Sequence, residues 1–222
     1  MHERITSTVF QVGGGSLSSP SDCLVYAIDL GDGVLVDCGC GTSLRRILDN
    51  VRKAGIGRIH TLLLTHAHVD HIGAAAEAKR ETGCRIAAHA ADAHAIETGD
   101  PRLTAAHWYG VDLEELEVDT RIEGARADLE FAGGTLHVVH TPGHTPGSIA
   151  AYLDTPEGRV LFGQDIHGPF SPEFGSDVAA WRRSMAILLD LGADILCEGH
   201  YGVFRGKDHV SGFIQSQLAM HR

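Results

Sequence analysis

Four potential metal ligands fall within six residues of the stretch Thr65-His66-Ala67-His68-Val69-Asp70-His71-Ile72-Gly73. Imidazoles and carboxylates are the donors that bind zinc, iron and manganese. The stretch follows the apolar run Thr61-Leu62-Leu63-Leu64, which reads as a buried strand releasing the chain into a loop. Polar groups delivered to such a place need partners, and divalent metal supplies them.

Three further apolar strands end in residues of the same kind. Thr141-Pro142-Gly143-His144-Thr145-Pro146-Gly147-Ser148 aims His144 from a turn stiffened by two prolines and two glycines. Gly163-Gln164-Asp165 closes the strand 159–162, and Glu198-Gly199-His200 closes the strand 193–197. The candidate ligands are therefore His66, His68, Asp70, His71, His144, Asp165 and His200. Five imidazoles and two carboxylates exceed the roughly four ligands of one zinc. They suit two metals about 3.5–4 Å apart that share a bridging carboxylate and a bridging hydroxide.

The elements that must position these residues alternate in character. Residues 4–13 and 21–30 read as strands, and Asp32-Gly33 reads as a tight turn into Val34-Leu35-Val36-Asp37, so the chain opens as an antiparallel meander. Strands then alternate with helices at 42–54, 73–82 and 90–98, the first two stopped by Gly55 and Gly83. Hairpins return beyond 118, and helices are expected near 176–191 and 207–220. This mixture implies layered sheets with helices outside them. Asp37, at a strand tip, reads equally well as a group orienting a ligand and as a helix N-cap. Cys38 and Cys40 are spaced too tightly for the usual Cys-x-x-Cys metal or redox pair and read as small buried residues. Trp108-Tyr109 lies in the irregular stretch 99–117 and reads as core packing ahead of a pocket wall. His89, His94, His107, His137 and His140 read as structural or exposed.

Composition narrows the function further. A chain of 222 residues suits one domain spanning 1–222. A net charge of −11 disfavours a nucleic-acid surface, and Arg45, Arg46, Arg52 and Lys53 read as one exposed helix face. No apolar run reaches the roughly 18 residues of a membrane span, and residues 1–8 contain no signal-peptide stretch. The five cysteines are odd in number and show no disulfide framework, so a reducing, cytoplasmic setting is expected. The expected partner is a small-molecule substrate, with neither nucleic acid nor membrane, and self-association is left open.

The His-x-His-x-Asp-His loop, the Thr-Pro-Gly-His-Thr-Pro-Gly-Ser run, the Gly-x-Asp after a strand and the final Gly-His occur here in order across residues 5–205. Together they resemble the metallo-β-lactamase superfamily, and the run around His144 looks most like its hydroxyacylglutathione hydrolase (glyoxalase II) branch. The resemblance implies an αββα sandwich, an α/β (α+β) fold of two mixed sheets with outer helices. It implies that His66, His68 and His144 hold a first metal, that Asp70, His71 and His200 hold a second, and that Asp165 bridges. It also implies two divalent ions, zinc first with iron or manganese as alternatives, and Asp70 as the catalytic residue that orients the nucleophile. The activity implied is hydrolysis of a thioester or related ester. A mononuclear iron persulfide dioxygenase, a lactonase and a β-lactamase share these motifs. Glyoxalase II enzymes carry a glutathione-binding helical region after the last ligand, whereas only about 20 residues, Val203–Arg222, stand in its place here, so glutathione itself is not implied.

Overall fold

The computed structural model describes residues 1–221. The first sheet is built from β1 (Glu3–Arg4), β2 (Val9–Gln11), β3 (Tyr26–Leu30), β4 (Asp32–Val36), β5 (Ile59–Leu63), β6 (Arg85–His89) and β7 (Thr120–Ile122), hydrogen-bonded in chain order. Its first four strands pair antiparallel, and β4 to β7 pair parallel. The second sheet holds β8 (Arg126–Phe131), β9 (Gly134–His140), β10 (Ile149–Thr155), β11 (Gly158–Phe162), β12 (Ile195–Cys197) and β13 (Val203–Arg205), again in order, with only β11 and β12 parallel.

Parallel neighbours need crossovers, and helices supply them. α1 (Leu44–Lys53) joins β4 to β5. α2 (Val69–Ile72) and α3 (Ala75–Thr82) join β5 to β6, and α4 (Ala90–Thr98) and α5 (Ala106–Tyr109) join β6 to β7. α6 (Val178–Asp190) joins β11 to β12, and α7 (Lys207–Met220) follows β13. Leu44, Ile47, Leu48 and Val51 recur at helical spacing and make the buried stripe of α1.

Three apolar clusters account for the layering. Tyr26, Ile28, Val34, Val36 and Leu63 from the first sheet meet Val138, Ala151, Leu153, Val160 and Phe162 from the second. Leu62 and Leu64 point the other way, into a cluster shared with α1, α3 and α4. Trp181, Met185 and Leu188 of α6 pack with Val210 and Ile214 of α7 on the far face of the second sheet. β5 is thus buried on both faces at its inner end, where Leu62 and Leu63 run apolar without alternation, while His60 at its outer end stays exposed. The order of layers is helix, sheet, sheet, helix, as expected.

Several local expectations are corrected. The first turn centres on Gly31 (φ 81°), because Leu30 pairs with Asp32, and not on Asp32-Gly33. The opening strand breaks after Arg4, where the Ile5 and Thr6 amides both donate to the Val9 carbonyl. The short strands β7 and β13 and the single-turn α2 carry too little periodicity to be read from sequence.

Candidate metal centre

Each candidate ligand sits just beyond a strand. β5 leads into His66 and His68, and α2 carries Asp70 and His71 on its first turn. The loop between β9 and β10 carries His144, the end of β11 leads to Asp165, and the end of β12 leads to His200. The strands from both sheets that bear candidate ligands finish at one edge of the sandwich, so residues up to 134 apart in sequence meet there.

Two backbone features make the meeting tight. A Cβ on Gly73 would lie 2.4 Å from the Cys40 carbonyl carbon, so only glycine lets α2 lie against the loop after β4. Gly143 has φ 139°, and a Cβ there would strike the Trp181 backbone at 2.3 Å. Asp37 (φ 60°) and Asp165 (φ 23°) take positive φ without being glycine, a conformation that costs energy and clusters at functional sites.

Donor atoms of His66, His68, His144 and Asp165 all lie within 4.8 Å of one another, and so do those of Asp70, His71 and His200. Asp165 faces both groups. Its Oδ1 is 3.1 Å from His71 Nε2 and 3.3 Å from His200 Nε2. Its Oδ2 is 3.3 Å from His144 Nε2 and 3.7 Å from His66 Nε2. Asp70 Oδ2 is 3.2 Å from His200 Nε2 and 3.6 Å from His71 Nε2.

These atoms are poorly satisfied by one another. His66 Nε2 and Asp165 Oδ1 are buried without a hydrogen-bond partner. His144 Nε2 faces His68 Nδ1 at 2.8 Å, and His71 Nε2 faces His200 Nε2 at 3.3 Å, nitrogen against nitrogen. An unpartnered buried polar atom costs about 1–3 kcal/mol. Divalent cations remove that cost at every one of these atoms, so the donor set fits them.

The opposite nitrogens are tied down by the protein, which fixes how each ring points. Asp37 Oδ2 accepts from His71 Nδ1 (2.7 Å), from the Thr65 hydroxyl (2.8 Å) and from Gln164 Nε2 (2.7 Å), and Asp37 Oδ1 accepts from the Thr65 amide. Of the two readings of Asp37, orientation of a ligand is the one realised, since Ser43 occupies the cap of α1. Thr65 Oγ1 meets His66 Nδ1 at 3.1 Å, and the Pro169 carbonyl accepts from His144 Nδ1 at 2.8 Å.

Electrostatics divide the candidate donors into neutral and charged sets. Burial, reinforced by neighbouring imidazoles, holds His66 and His68 well below the ordinary histidine range, so both are neutral at pH 7. Burial alone would raise the carboxyls of Asp70 and Asp165, but His71 and His200 outweigh it and hold both below the usual range. Burial opposes a charge on His200 as well, yet Asp165 and Asp70 raise it to about 10.

Sequence reasoning missed several supporting residues. Asp92, fully enclosed on α4, accepts from the Ala67 amide, the Thr145 hydroxyl and the Gly147 amide. Gln164 stands beside Asp165, and that adjacency was its only signal. Trp108 and Tyr109 are exposed at 51% and 44%, so the expectation that they pack in the core is overturned. Trp108 packs on Phe174 at 5.5 Å, and Phe174 packs on His68 at 4.3 Å, which places an aromatic wall beside the first group of donors. His89 and His140 stack on each other, and His137 meets Asp128, all away from the cluster as expected. All five cysteines are buried and free. A cleft of about 720 Å³ between residues 16–19 and α1 holds none of the candidate ligands.

Comparison with known proteins agrees with this architecture. The family described as the metallo-beta-lactamase superfamily matches residues 19–200. An uncharacterised protein of Mycobacterium tuberculosis is 35% identical over 140 residues, 58% of each chain, so the match spans little more than half of that relative's length. A hydroxyacylglutathione hydrolase of Rhizobium meliloti is 32% identical over 121 residues, 54% of this chain and 38% of that one. Among solved structures, the subclass B3 metallo-beta-lactamase BJP-1 of Bradyrhizobium japonicum superposes with a TM-score of 0.81 at 23% identity, covering 99% of this chain and 94% of its own. A metallo-beta-lactamase of Cronobacter sakazakii gives 0.83 at 20%, covering 99% and 92%. At these identities the structural likeness speaks for the fold alone. With the family match covering most of the chain and the sandwich in place, this protein belongs to the metallo-beta-lactamase superfamily.

Proposed function

We propose that this protein is a two-metal hydrolase acting on a thioester or related ester, in the manner of the glyoxalase II branch. The observation that carries the reading is Asp165, whose two oxygens face two different sets of imidazoles. A carboxylate so placed would bridge two ions. His66, His68 and His144 would hold one ion and Asp70, His71 and His200 the other, with zinc, iron and manganese all suited to these donors. Two divalent ions there supply Lewis acidity to a carbonyl and acidify bound water toward neutral pH.

The chain's own residues supply positioning and proton handling. Asp70 is ionised, lies at the edge of the cluster beside His200 and is placed to orient the attacking water and accept its proton. Asp37 and the Pro169 carbonyl keep His71 and His144 in the tautomer that leaves Nε2 free. Trp108, half exposed and packed edge-on against the buried Phe174 beside His68, offers an apolar surface on which the acyl portion of a substrate can lie. The buried thiols are held as thiols, so no cysteine competes as nucleophile.

The test is a screen at defined zinc loading against acyl thioesters, lactones and a chromogenic β-lactam, with oxygen uptake measured in parallel on a persulfide. Thioester turnover exceeding the rest is the expected result. One iron per chain with persulfide-dependent oxygen consumption and no hydrolysis would overturn it.

A further inference from the structure

His167 lies two residues beyond Asp165 and takes no part in the ligand set above. Its Nδ1 donates to Glu198 Oε1 at 2.8 Å, and its side chain is only 18% exposed. Glu198 is completely buried at the end of β12, where its other oxygen accepts from the amides of His200 (2.7 Å) and Tyr201 (2.8 Å). One carboxylate therefore fixes both the His167 ring and the backbone that carries His200. The ring is further held between His200, at 5.1 Å, and Tyr201, at 4.9 Å, and His221 Nε2 binds the His167 carbonyl at 3.0 Å.

This arrangement repeats the one seen at the other histidines. His71 gives Nδ1 to Asp37, and His144 gives Nδ1 to the Pro169 carbonyl, and each turns Nε2 into the cluster. With Nδ1 committed to Glu198, His167 likewise has only Nε2 to offer. One donor atom each from Asp165, His167 and His200 lies within 4.8 Å of the other two. Donors about 2.1 Å from one tetrahedral ion lie about 3.4 Å apart, so movements on the order of an ångström bring this group onto a metal. His200, with a side chain 32% exposed, has room to make that shift.

We propose that His167 is a further metal ligand, joining Asp165 and His200 at the outer metal position with Glu198 as the carboxylate that orients it. The proposal rests on the two-metal reading above. An imidazole added there would make this position richer in nitrogen than Asp70, His71 and His200 alone. A buried carboxylate behind a ligating histidine raises the basicity of the ring and locks its direction, and loss of such a partner typically costs ten- to a hundredfold in metal affinity.

Stepwise titration of the metal-stripped protein with Co(II) tests this, following the visible absorption of each equivalent and its affinity in competition with a chelator. Wild type, His167→Ala and His167→Gln are compared, with circular dichroism to show that each is folded. The expected result is an unchanged first equivalent, and a second equivalent weakened ten- to a hundredfold with an altered Co(II) spectrum in both variants. Identical affinity and spectrum for the second equivalent would overturn the proposal, even if turnover changed, because His167 would then be facing substrate rather than metal. A wild-type protein that takes up one equivalent only would overturn it as well. These readouts involve no substrate, so failure of the thioesterase assay and failure of this assignment are separate results.

Discussion

The carboxylate of Asp92 accepts a 2.6 Å hydrogen bond from the Thr145 hydroxyl, and through the same oxygen it accepts from the Ala67 amide. Its other oxygen takes the Gly147 amide. One buried side chain on α4 thus pins the loop after β5 to the loop after β9. His66 and His68 flank Ala67, and His144 precedes Thr145, so Asp92 sets the distance between the imidazoles of His66, His68 and His144.

Replacing Asp92 should therefore weaken metal binding without touching a donor. Asp92→Ala leaves three donors without their acceptor and should lower stability by about 3–5 kcal/mol. Asp92→Asn turns an amino group toward at least one of those donors, and should cost less stability while lowering metal affinity by about 10–100-fold. Denaturant unfolding and metal competition on the same samples check both numbers. Affinity preserved in Asp92→Asn would show that the two loops do not need the tie.

Asp165→Asn should act on both metal positions. The amide keeps the shape but removes the charge that faces four imidazoles. Metal content after dialysis is expected to fall below one ion per chain, with hydrolytic turnover reduced on the order of a hundredfold or more, at least the effect of losing an orienting partner. Elemental analysis beside the turnover assay is the measurement, and two retained metals would refute the bridging role.

Chelation should loosen the fold. Metal bound only by the native state stabilises it by about 2.7 kcal/mol at a hundred times Kd. Thermal unfolding of the stripped protein is therefore expected several degrees lower, and re-addition of zinc should restore the transition. An unchanged midpoint would mean that the unpartnered atoms of His66 and Asp165 cost the fold nothing.

Trp108→Ala should leave the melting temperature nearly unchanged, because half of the side chain is already in solvent and surface substitutions stay within about 0.5 kcal/mol. On an aromatic or long-chain acyl thioester, KM is expected to rise several-fold with kcat little altered. Equal kinetics for the variant and the wild type would remove the aromatic wall from the substrate site.

The thiols give a pH prediction of definite sign. Burial raises Cys23 from 9.0 to about 12 and Cys40 to about 11, so each binds its proton more tightly in the folded state than in the unfolded one. Their contribution to stability is whole below pH 9 and is lost as the pH climbs from there toward 12. Stability should accordingly decline above pH 9. At pH 8 the native protein should resist thiol-directed reagents, whereas the unfolded chain reacts at all five cysteines. Rapid labelling of a native thiol at pH 8 would contradict the burial.

Much of this centre is legible in the residues themselves, for a physical reason. A buried strand that ends in imidazoles is a local pattern, so His66, His68, His144, Asp165 and His200 stand out without any structure. The two parallel-paired crossovers through α1 and α3 could be read because Gly55 and Gly83 mark their ends. Asp92 could not, because nothing near it in sequence says that its partners lie 25 and 53 residues away. Asp37 was recognisable as important but not by role, since the choice between capping and orienting depends on a positive φ that no pattern encodes. Trp108 was misjudged because an aromatic pair in an irregular stretch looks the same whether it faces core or solvent.

The division of the donors between the two sheets has one more consequence. His66 to His71 hang from the first sheet and His144 to His200 from the second, and His71 and His200, 129 residues apart, touch. A metal held here would act as a reversible staple closing a loop of that length, the role a disulfide plays in an oxidising compartment, where long loops gain most in principle. The seam between the sheets would then be reinforced only while the metal stays, so metal occupancy would govern how fast the sandwich opens as well as whether it can react.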